Sequence, residues 1–267
     1  SIYGCTDPAA DNYDPAATID DGSCIYCSSI SASIFGTDIT CYGVNDGSAT
    51  VSPIGGTAPY TYLWSDGQTT QTANALLAGT YTCQIIDLNG CYITESVTIS
   101  QPSAIFSSIS PINVLCNGDA TGSATITVGG GTSPYTYLWS NAQTGTTATN
   151  LAAGSYTCQI TDAFGCSSSD NVTISQPSAP ISSSISPINV LCNGNATGSA
   201  TVTAGGGTSP YTYLWSDGQT TQTATNLAAG PYTCQITDAY GCYITESVTI
   251  TEQSAISSSI SPINVLC

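Results

Sequence analysis

The sequence predicts an all-β protein built from tandem β-sandwich domains. One heptapeptide, Pro-Tyr-Thr-Tyr-Leu-Trp-Ser, occurs at 59–65, 134–140 and 210–216 and holds all three tryptophans of the 267-residue chain. The cysteines recur with the same spacing, in three sets: Cys41, Cys116, Cys192 and Cys267; Cys83, Cys158 and Cys234; Cys91, Cys166 and Cys242. A period of about 75 residues is longer than a solenoid unit and suits a complete small domain.

The heptapeptide is predicted to be a core strand. In its first copy Tyr60, Tyr62 and Trp64 alternate with Thr61 and Leu63. Residues two apart lie on the same face of an extended strand, so the large aromatic side chains share one face. Glycine-rich and Ser-Asp-Gly turns flank this copy, which indicates short loops at both ends.

The remainder of each repeat shows further short strands between turns. Seven strand signals per repeat, with no helical period, are typical of a sandwich. Six of these signals are placed in the second repeat: 105–116, 122–128, one that contains Trp139, 144–151, 156–162 and 166–174.

Residues 151–158, Leu-Ala-Ala-Gly-Ser-Tyr-Thr-Cys, favour an immunoglobulin-like sandwich. A tyrosine two residues before a cysteine, after a tight corner and downstream of a strand tryptophan, matches the tyrosine corner of that fold. The second strand has no cysteine to pair with Cys158, so the usual disulfide between the two sheets is not expected.

The turn Asp-Ala-Phe-Gly-Cys at 162–166 predicts a hairpin with Gly165 in the left-handed conformation. The expected register pairs Asp162 with Cys166, Ile160 with Ser168, and Cys158 with Asp170.

The first and third cysteines of each repeat are predicted to pair, because the first strand is taken to end beside this hairpin. The predicted bonds are Cys41–Cys91, Cys116–Cys166 and Cys192–Cys242. Each would close a loop of about 50 residues, worth roughly 4 kcal/mol on a chain-entropy estimate. Cys83, Cys158 and Cys234 would then be buried thiols. Bonds from these three to Cys41, Cys116 and Cys192 are the alternative, since spacing alone does not settle connectivity.

Residues 1–26 differ from the repeats and are predicted to form a small module stapled by a Cys5–Cys24 disulfide. Their oxygen-bearing side chains are candidate calcium ligands: Asp7, Asp11, Asn12, Asp14, Asp20 and Asp21. The alternative is a solvated acidic turn region, since the spacing does not match an EF-hand loop. The module resembles the short Gly-Cys-Thr-Asp-Pro…Asp-Asp-Gly-Ser-Cys segments of Bacteroidetes surface proteins, which are similar to thrombospondin type 3 calcium repeats.

Composition excludes several classes of function. The chain has no lysine, arginine or histidine, and a net charge of -17. It therefore has no side-chain cations to bind nucleic-acid phosphates, and an anionic membrane surface would repel it. A Ser-His-Asp or Cys-His catalytic site cannot be built, and we expect no enzyme. Thirteen cysteines indicate an oxidising, secreted or cell-surface location, and no apolar run is long enough to insert in a membrane.

The repeat resembles the SprB-type repeat of Bacteroidetes gliding adhesins and other large surface proteins. The second copy carries the resemblance in Cys116-Asn117-Gly118, Gly130-Gly131-Thr132, Pro134-Tyr135-Thr136-Tyr137, Trp139-Ser140, Leu151, Gly154-Ser155-Tyr156-Thr157, Asp162 and Gly165-Cys166. The resemblance implies export by the type 9 system, a surface location and a structural or adhesive role.

The expected domains are the module at 1–26, repeats at 27–102, 103–177 and 178–253, and an additional first strand at 254–267. Boundaries of two or three residues, two of which contain proline, predict a stiff rod of repeats. The strand at 254–267 belongs either to a further repeat, if the chain is an excerpt, or to strand addition onto a neighbouring subunit.

The predicted function is that of a glycosylated subunit of an extracellular, head-to-tail filament. The alternative is an adhesin or glycan-binding array that binds through loops at 117–119 and 216–218. Cys27 and Cys267 are candidates for bonds between subunits. Asn171 and Asn195 begin Asn-x-Thr sequons and are candidate glycosylation sites.

Overall fold

The computed structural model describes residues 1–27 and 30–260, and its regular structure consists of β-strands. Two short strands, β1 (Tyr3–Gly4) and β2 (Ile19–Asp20), pair in parallel in the N-terminal module. The strands of the first repeat are β3 (Ser31–Thr37), β4 (Gly47–Ile54), β5 (Thr61–Trp64), β6 (Thr72–Leu76), β7 (Gly79–Ile86) and β8 (Tyr92–Ile99).

The other two repeats have the same order of elements. The second has β9 (Phe106–Ile112), β10 (Gly122–Gly129), β11 (Thr136–Trp139), β12 (Thr147–Leu151), β13 (Gly154–Thr161) and β14 (Ser167–Ile174). The third has β15 (Ser182–Ile188), β16 (Gly198–Gly205), β17 (Thr212–Trp215), β18 (Thr223–Leu227), β19 (Gly230–Thr237) and β20 (Tyr243–Ile250).

Each repeat is an immunoglobulin-like sandwich of two three-stranded sheets. In the first repeat the sheets have the orders β3-β4-β6 and β5-β7-β8, and in the third β15-β16-β18 and β17-β19-β20. These are the A-B-E and C-F-G sheets of the immunoglobulin fold. The prediction of seven strands is wrong for the described chain, which has six per repeat. Residues 65–71, between β5 and β6, form a tight loop that leaves no room for the D strand.

Aromatic and aliphatic side chains from both sheets meet between them. In the first repeat Trp64, on β5, is 2% exposed, and it packs with Val51, Leu76, Ile85 and other buried residues. Tyr62 faces the same side, whereas Leu63 is half exposed. The period-two prediction for this strand is confirmed, and the third repeat has the same core around Trp215.

Hydrogen bonds fix the turns around this core. The indole Nε1 of Trp64 donates to the Thr70 carbonyl at 2.8 Å, which ties the strand to the loop that follows it. The hydroxyl of Tyr81 donates to the Leu77 carbonyl at 3.1 Å, which forms the predicted tyrosine corner. Tyr156 and Tyr232 make the equivalent bonds in the other repeats.

The predicted hairpin register is confirmed in the repeats whose pairing is described. In the third repeat Ile236 pairs with Ile244, and Cys234 with Glu246. In the first repeat Ile85 pairs with Ile93 in the same way. Gly241 of the hairpin turn has a φ of 86°, the left-handed conformation that favours glycine.

Contacts divide the chain into two compact units, and each described disulfide lies within one of them. The first contains residues up to 108 together with 127–137 and 159–169, and the second contains 109–126, 138–158 and the described residues from 170 on. Within residues 1–27 and 30–260 there is no helix that could cross a membrane.

A glycine pair at each sandwich entrance is required by close backbone approach. Gly206 has a φ of 63°, and a Cβ built on it would lie 1.9 Å from the carbonyl oxygen of Pro180. Gly207 has a φ of 56°, and its Cβ would lie 2.7 Å from Oδ2 of Asp238. A side chain at either position would therefore displace backbone or a buried carboxylate.

We predict that Gly206→Ala lowers the thermal unfolding midpoint of the third repeat much more than Gly218→Ala does. Both glycines have positive φ, but nothing lies within 4 Å of a Cβ on Gly218. The control thus carries only the left-handed backbone penalty of about 1–2 kcal/mol. Equal midpoints for the two variants, measured by calorimetry, would contradict the steric role of Gly206.

Candidate functional site: the junction between repeats

Disulfides join successive repeats. Cys41 of the first repeat bonds to Cys166 of the second, and Cys116 of the second bonds to Cys242 of the third. Both pairs have a Cα–Cα distance of 5.6 Å. The first cysteines of the first and second repeats are therefore each bonded to the third cysteine of the next repeat along the chain.

This pairing corrects the sequence prediction. The predicted bonds within a repeat, Cys41–Cys91, Cys116–Cys166 and Cys192–Cys242, are not those of the structure.

The reason is the direction of the first strand. In the third repeat β15 begins beside Gly205 and ends beside Ser199, near the end of β20. The hairpin that carries Cys242 precedes β20 at the opposite end of the sandwich. Eight residues of strand separate the two ends by about 25 Å, which is far beyond the reach of a disulfide.

Cys27 completes the same arrangement for the first repeat. It was predicted as a candidate for a bond between subunits, but it bonds to Cys91 of its own chain, with a Cα–Cα distance of 5.5 Å. Cys91 is the third cysteine of the first repeat, so Cys27 occupies the place that a preceding repeat's first cysteine has elsewhere. The N-terminal module is thereby attached to the first repeat as one repeat is to the next.

An aspartate organises the hairpin that presents each third cysteine. Oδ1 of Asp162 accepts backbone N–H groups of Phe164 and Cys166 at 2.9 Å each, and Oδ2 accepts that of Thr132 at 3.0 Å. Asp87 and Asp238 make the same three contacts in their own repeats. The carboxylate thus links the hairpin to the glycine-rich turn that precedes the tryptophan strand. The sequence predicted only the strand register of Asp162, and this hydrogen-bonding role was not predicted.

These carboxylates are buried yet ionised. Each of the three aspartates is about 5–6% exposed. Burial pushes the pKa of Asp162 and Asp238 upward, but the backbone N–H groups stabilise the charge more strongly and hold each pKa below its ordinary value. The Thr57 N–H is the main cause of the lowered pKa of Asp87.

The first cysteine lies in a turn that is held by the boundary residues. In the second repeat the Gly118 N–H donates to Gln176 Oε1 at 2.9 Å, and Asn117 Nδ2 donates to the Pro177 carbonyl at 2.7 Å. In the first repeat the Gly43 N–H donates to Gln101 in the same way. The boundary residues are therefore bound to the repeat that they follow, and they do not act as a free linker.

A cleft of about 440 Å³ lies beside each junction disulfide. The first is lined by Cys41, Tyr42, Val44, Ile105 and Cys166, among others. The second has Asn117, Asp119, Ile181, Cys242 and Tyr243 in its lining. The loop at 117–119, predicted as part of a binding face, therefore borders a cleft, whereas Asp217 and Gly218 form the turn that follows the tryptophan strand.

The comparisons with known proteins agree with the repeat motifs. The family model described as the SprB repeat matches residues 35–69, 108–144 and 184–220. Three regions of the chain, one in each repeat, are therefore similar to the SprB repeat. Each match covers the first part of a repeat, so the tyrosine corner and the hairpin of the third cysteine lie outside it. No curated protein matches the chain.

Solved structures with immunoglobulin domains are similar at low identity. Extracellular domains 3–5 of Drosophila OTK share 15% identity over 78% of this chain and 91% of that one, with a TM-score of 0.30. The N-terminal eight Ig domains of Down Syndrome Cell Adhesion Molecule share 14% over 84% and 35%, with a TM-score of 0.37. The mouse nectin-like molecule 4 ectodomain shares 11% over 85% and 96%, with a TM-score of 0.33.

The N-terminal module has the Cys5–Cys24 disulfide, with a Cα–Cα distance of 4.7 Å. Its candidate calcium ligands accept local hydrogen bonds. Asp7 accepts from the Ala9 N–H and the Tyr26 hydroxyl, and Asp14, Asp20 and Asp21 each accept from a backbone N–H two residues on.

The last two candidate ligands tie distant parts of the module together. Asn12 donates from Nδ2 to the Ser23 carbonyl and accepts the Ile25 N–H at Oδ1. Asp11 accepts the Cys27 N–H at 2.6 Å. No group of three acidic or cysteine side chains suited to a metal occurs in residues 1–27 and 30–260. Calcium binding and the thrombospondin resemblance stay predictions.

The second cysteines lie in the sandwich cores. Cys83 and Cys234 are free thiols with no exposed surface, and Cys158 is buried at the equivalent position. Burial raises the pKa of all three thiols, so they react slowly at neutral pH. The alternative bonds from these residues to Cys41 and Cys116 are excluded, because those two cysteines bond elsewhere.

The remaining site predictions lie on the surface or outside the described chain. Asn171 and Asn195 are exposed, so the sequons are accessible. Cys267 lies outside the described residues.

We predict that Cys41→Ser with Cys166→Ser loosens the first junction and leaves each sandwich core folded. The bond closes a 125-residue separation, for which chain entropy gives an upper estimate of about 5 kcal/mol. Limited proteolysis should cleave the variant faster at 101–105, with an unchanged β-type circular dichroism spectrum. The matched control, Cys27→Ser with Cys91→Ser, should expose residues 1–30 instead. Identical cleavage of the first variant and the wild type would contradict a junction role.

We also predict that stability falls as the pH drops below about 4. The folded pKa values of Asp87, Asp162 and Asp238 lie below the unfolded value of about 3.9. Their stabilising contribution is therefore present above that value and is lost as the pH falls through the folded pKa. Asp238→Asn should lower the midpoint of the third repeat at pH 7 and reduce its acid sensitivity. An unchanged acid profile in this variant would contradict the role of the carboxylate.

Proposed function

We propose that the protein is a structural subunit of an extracellular or cell-surface filament made of stacked SprB repeats. The observation that carries this proposal is the set of bonds Cys41–Cys166 and Cys116–Cys242, which join neighbouring repeats. A disulfide within a domain stabilises only that domain. A disulfide between domains adds a second covalent connection beside the peptide chain, and this suits a protein that bears tension.

The boundary contacts support the same role. Gln101 and Gln176 each accept a glycine N–H from the preceding repeat, and Glu252 accepts that of Gly194 at 2.7 Å. Such boundaries limit motion between repeats, because each is hydrogen-bonded to the repeat before it and two of the three boundaries contain proline.

The side-chain chemistry supports a non-catalytic role. The chain has no histidine, lysine or arginine. The buried aspartates are engaged with backbone N–H groups, and Glu95 and Glu246 occupy equivalent positions on the last strand of separate sandwiches. The aspartates are therefore held in structural hydrogen bonds, and the two glutamates belong to different repeats, so neither set supplies a pair of catalytic carboxylates.

The disulfides and the SprB repeats point to an extracellular or surface location. We propose glycosylation at the exposed Asn171 and Asn195, which would add polar cover to a chain in which only 6% of residues are charged.

The junction clefts favour adhesion as a second candidate function. Tyr42 is 59% exposed at the first cleft and Tyr243 is 64% exposed at the second. Exposed aromatic rings beside polar groups are suited to sugar rings, so a glycan is the ligand class proposed for these clefts.

Electron microscopy of native material, with and without a reductant, tests the filament proposal. We expect regular filaments whose order decreases when the junction disulfides are reduced. Dispersed chains under non-reducing conditions would contradict it.

Glycan-array binding tests the adhesin candidate. Tyr42→Ala with Tyr243→Ala should abolish binding if the clefts hold sugar. The matched control, Leu63→Ala with Leu214→Ala, removes side chains that are 50% and 53% exposed away from both clefts. Equal binding by both variants would contradict the assignment of the clefts.

A further inference from the structure

We infer that Cys192 is half of a further inter-repeat disulfide, whose other half is the third cysteine of an SprB repeat that follows residue 253. Cys192 is exposed and free. Its two equivalents, Cys41 and Cys116, are both bonded to the third cysteine of the following repeat. The disulfide partner of a cysteine at this position of the repeat is therefore seen twice in this chain.

The turn around Cys192 has the geometry of the two bonded turns. The Asn195 N–H donates to the Cys192 carbonyl at 3.2 Å, as that of Asp119 does to the Cys116 carbonyl at 3.1 Å. Gly194 has a φ of 80°, against 89° for Gly118. The turn is therefore formed before a partner is bound, which lowers the entropic cost of binding.

The surface beside the thiol is uncovered in the third repeat. Leu191 is 77% exposed, whereas the equivalent Leu115 is 47% exposed. The carbonyl oxygen of Leu115 lies 3.6 Å from Sγ of Cys242. The additional exposure of Leu191 corresponds to a place that the hairpin of the next repeat fills at the second junction.

The segment after residue 253 identifies the occupant. Residues 256–267 have the same sequence as residues 181–192, which include the first strand of the third repeat. Ile181 and Ile185 pack against the core of the third repeat, whereas Ile256 and Ile260 are 101% and 92% exposed. Residues 256–260 thus carry the sequence of a first strand, but their two isoleucines pack against no sandwich in the described part of the chain.

A repeat on the same chain is favoured over one from a second copy. In both observed junctions the partner follows within the chain, where a boundary of three residues keeps its effective concentration high. In a second copy the third cysteines Cys91, Cys166 and Cys242 are all already bonded within their own chain.

The bond forms by thiol–disulfide exchange with a small-molecule disulfide such as oxidised glutathione. The Cys192 thiolate attacks one sulfur of the oxidant and releases one thiolate. The thiolate of the partner cysteine then attacks Sγ of Cys192 and releases the second. Two protein thiols are oxidised, and one disulfide is reduced to two thiols.

The test extends the full chain by a second copy of residues 178–253, placed after Gln253. We expect Cys192 to react with iodoacetamide in the unextended chain and to be protected in the extended one. Since the chain has no lysine or arginine, peptic digestion replaces trypsin, and its low pH also prevents disulfide exchange. Mass spectrometry should then find a peptide that links Cys192 to the third cysteine of the added repeat.

Two controls make the outcome decisive. Cys192→Ser in the extended chain should leave the third cysteine of the added repeat open to alkylation. Cys27→Ser in the unextended chain frees Cys91, and monomers with both Cys91 and Cys192 alkylated are expected. An extended chain that folds but keeps Cys192 reactive would overturn the inference, as would Cys192–Cys91 oligomers of Cys27→Ser.

The assignment rests on the proposed filament role, but the two fail differently. Absence of filaments from native material would refute that role and leave the Cys192 bond detectable in the extended chain. A reactive Cys192 in the extended chain would refute the bond while filaments, held by other contacts, stayed visible.

Discussion

Strand direction is the constraint on which the junctions depend. In each sandwich the first strand runs away from the hairpin of the third cysteine, so the first and third cysteines lie at opposite ends. Such a domain cannot close its own disulfide across about 25 Å of strand. The same arrangement brings Cys116 and Cys242 together at a boundary. Because its first and third cysteines cannot bond to each other, each repeat keeps one cysteine at either end for a disulfide to a neighbouring repeat.

The absence of side-chain cations determines how buried charge is stabilised. With no lysine, arginine or histidine, carboxylates inside the fold cannot be satisfied by basic side chains and need neutral donors such as backbone N–H groups. Asp87, Asp162 and Asp238 each accept three such groups and join two loops at the sandwich entrance. The glycine pair opposite them follows from this arrangement, because a Cβ on Gly207 would enter the space of the Asp238 carboxylate. The hairpin and the glycine-rich turn are thus joined without any ion pair to a basic side chain.

Short-range features were predictable from the sequence, whereas long-range pairing was not. Alternation placed Trp64 and Tyr62 on the core face, and the Tyr-x-Cys motif gave the tyrosine corner. These features depend on neighbours within a few residues.

Disulfide connectivity depends on which ends of two sandwiches meet. The cysteine spacing is equally regular whether a first cysteine bonds within its own repeat or to the next repeat, so it could not distinguish the two schemes. The position of Cys27 was a usable signal for the pairing. It comes just before the first repeat, as Cys41 and Cys116 come before the second and third repeats, and it bonds to the third cysteine of the repeat that follows it. The role of Asp162 was missed because its N–H partners lie 30 residues upstream as well as in the hairpin.

The position of a cysteine in the repeat determines whether it connects domains or fills a core. Cys83 and Cys234 pair across the sheet with Trp64 and Trp215, where burial raises the pKa of each thiol and keeps it protonated. The first and third cysteines lie in turns at the sandwich ends, where thiols are accessible until a neighbour covers them. Oxidants and reductants therefore act on the junctions and leave the cores intact. Because each core forms without a disulfide of its own, a repeat can fold before its junction bonds close. Connection of repeats in sequence then requires only that each new hairpin reach the cysteine turn already exposed on the repeat before it.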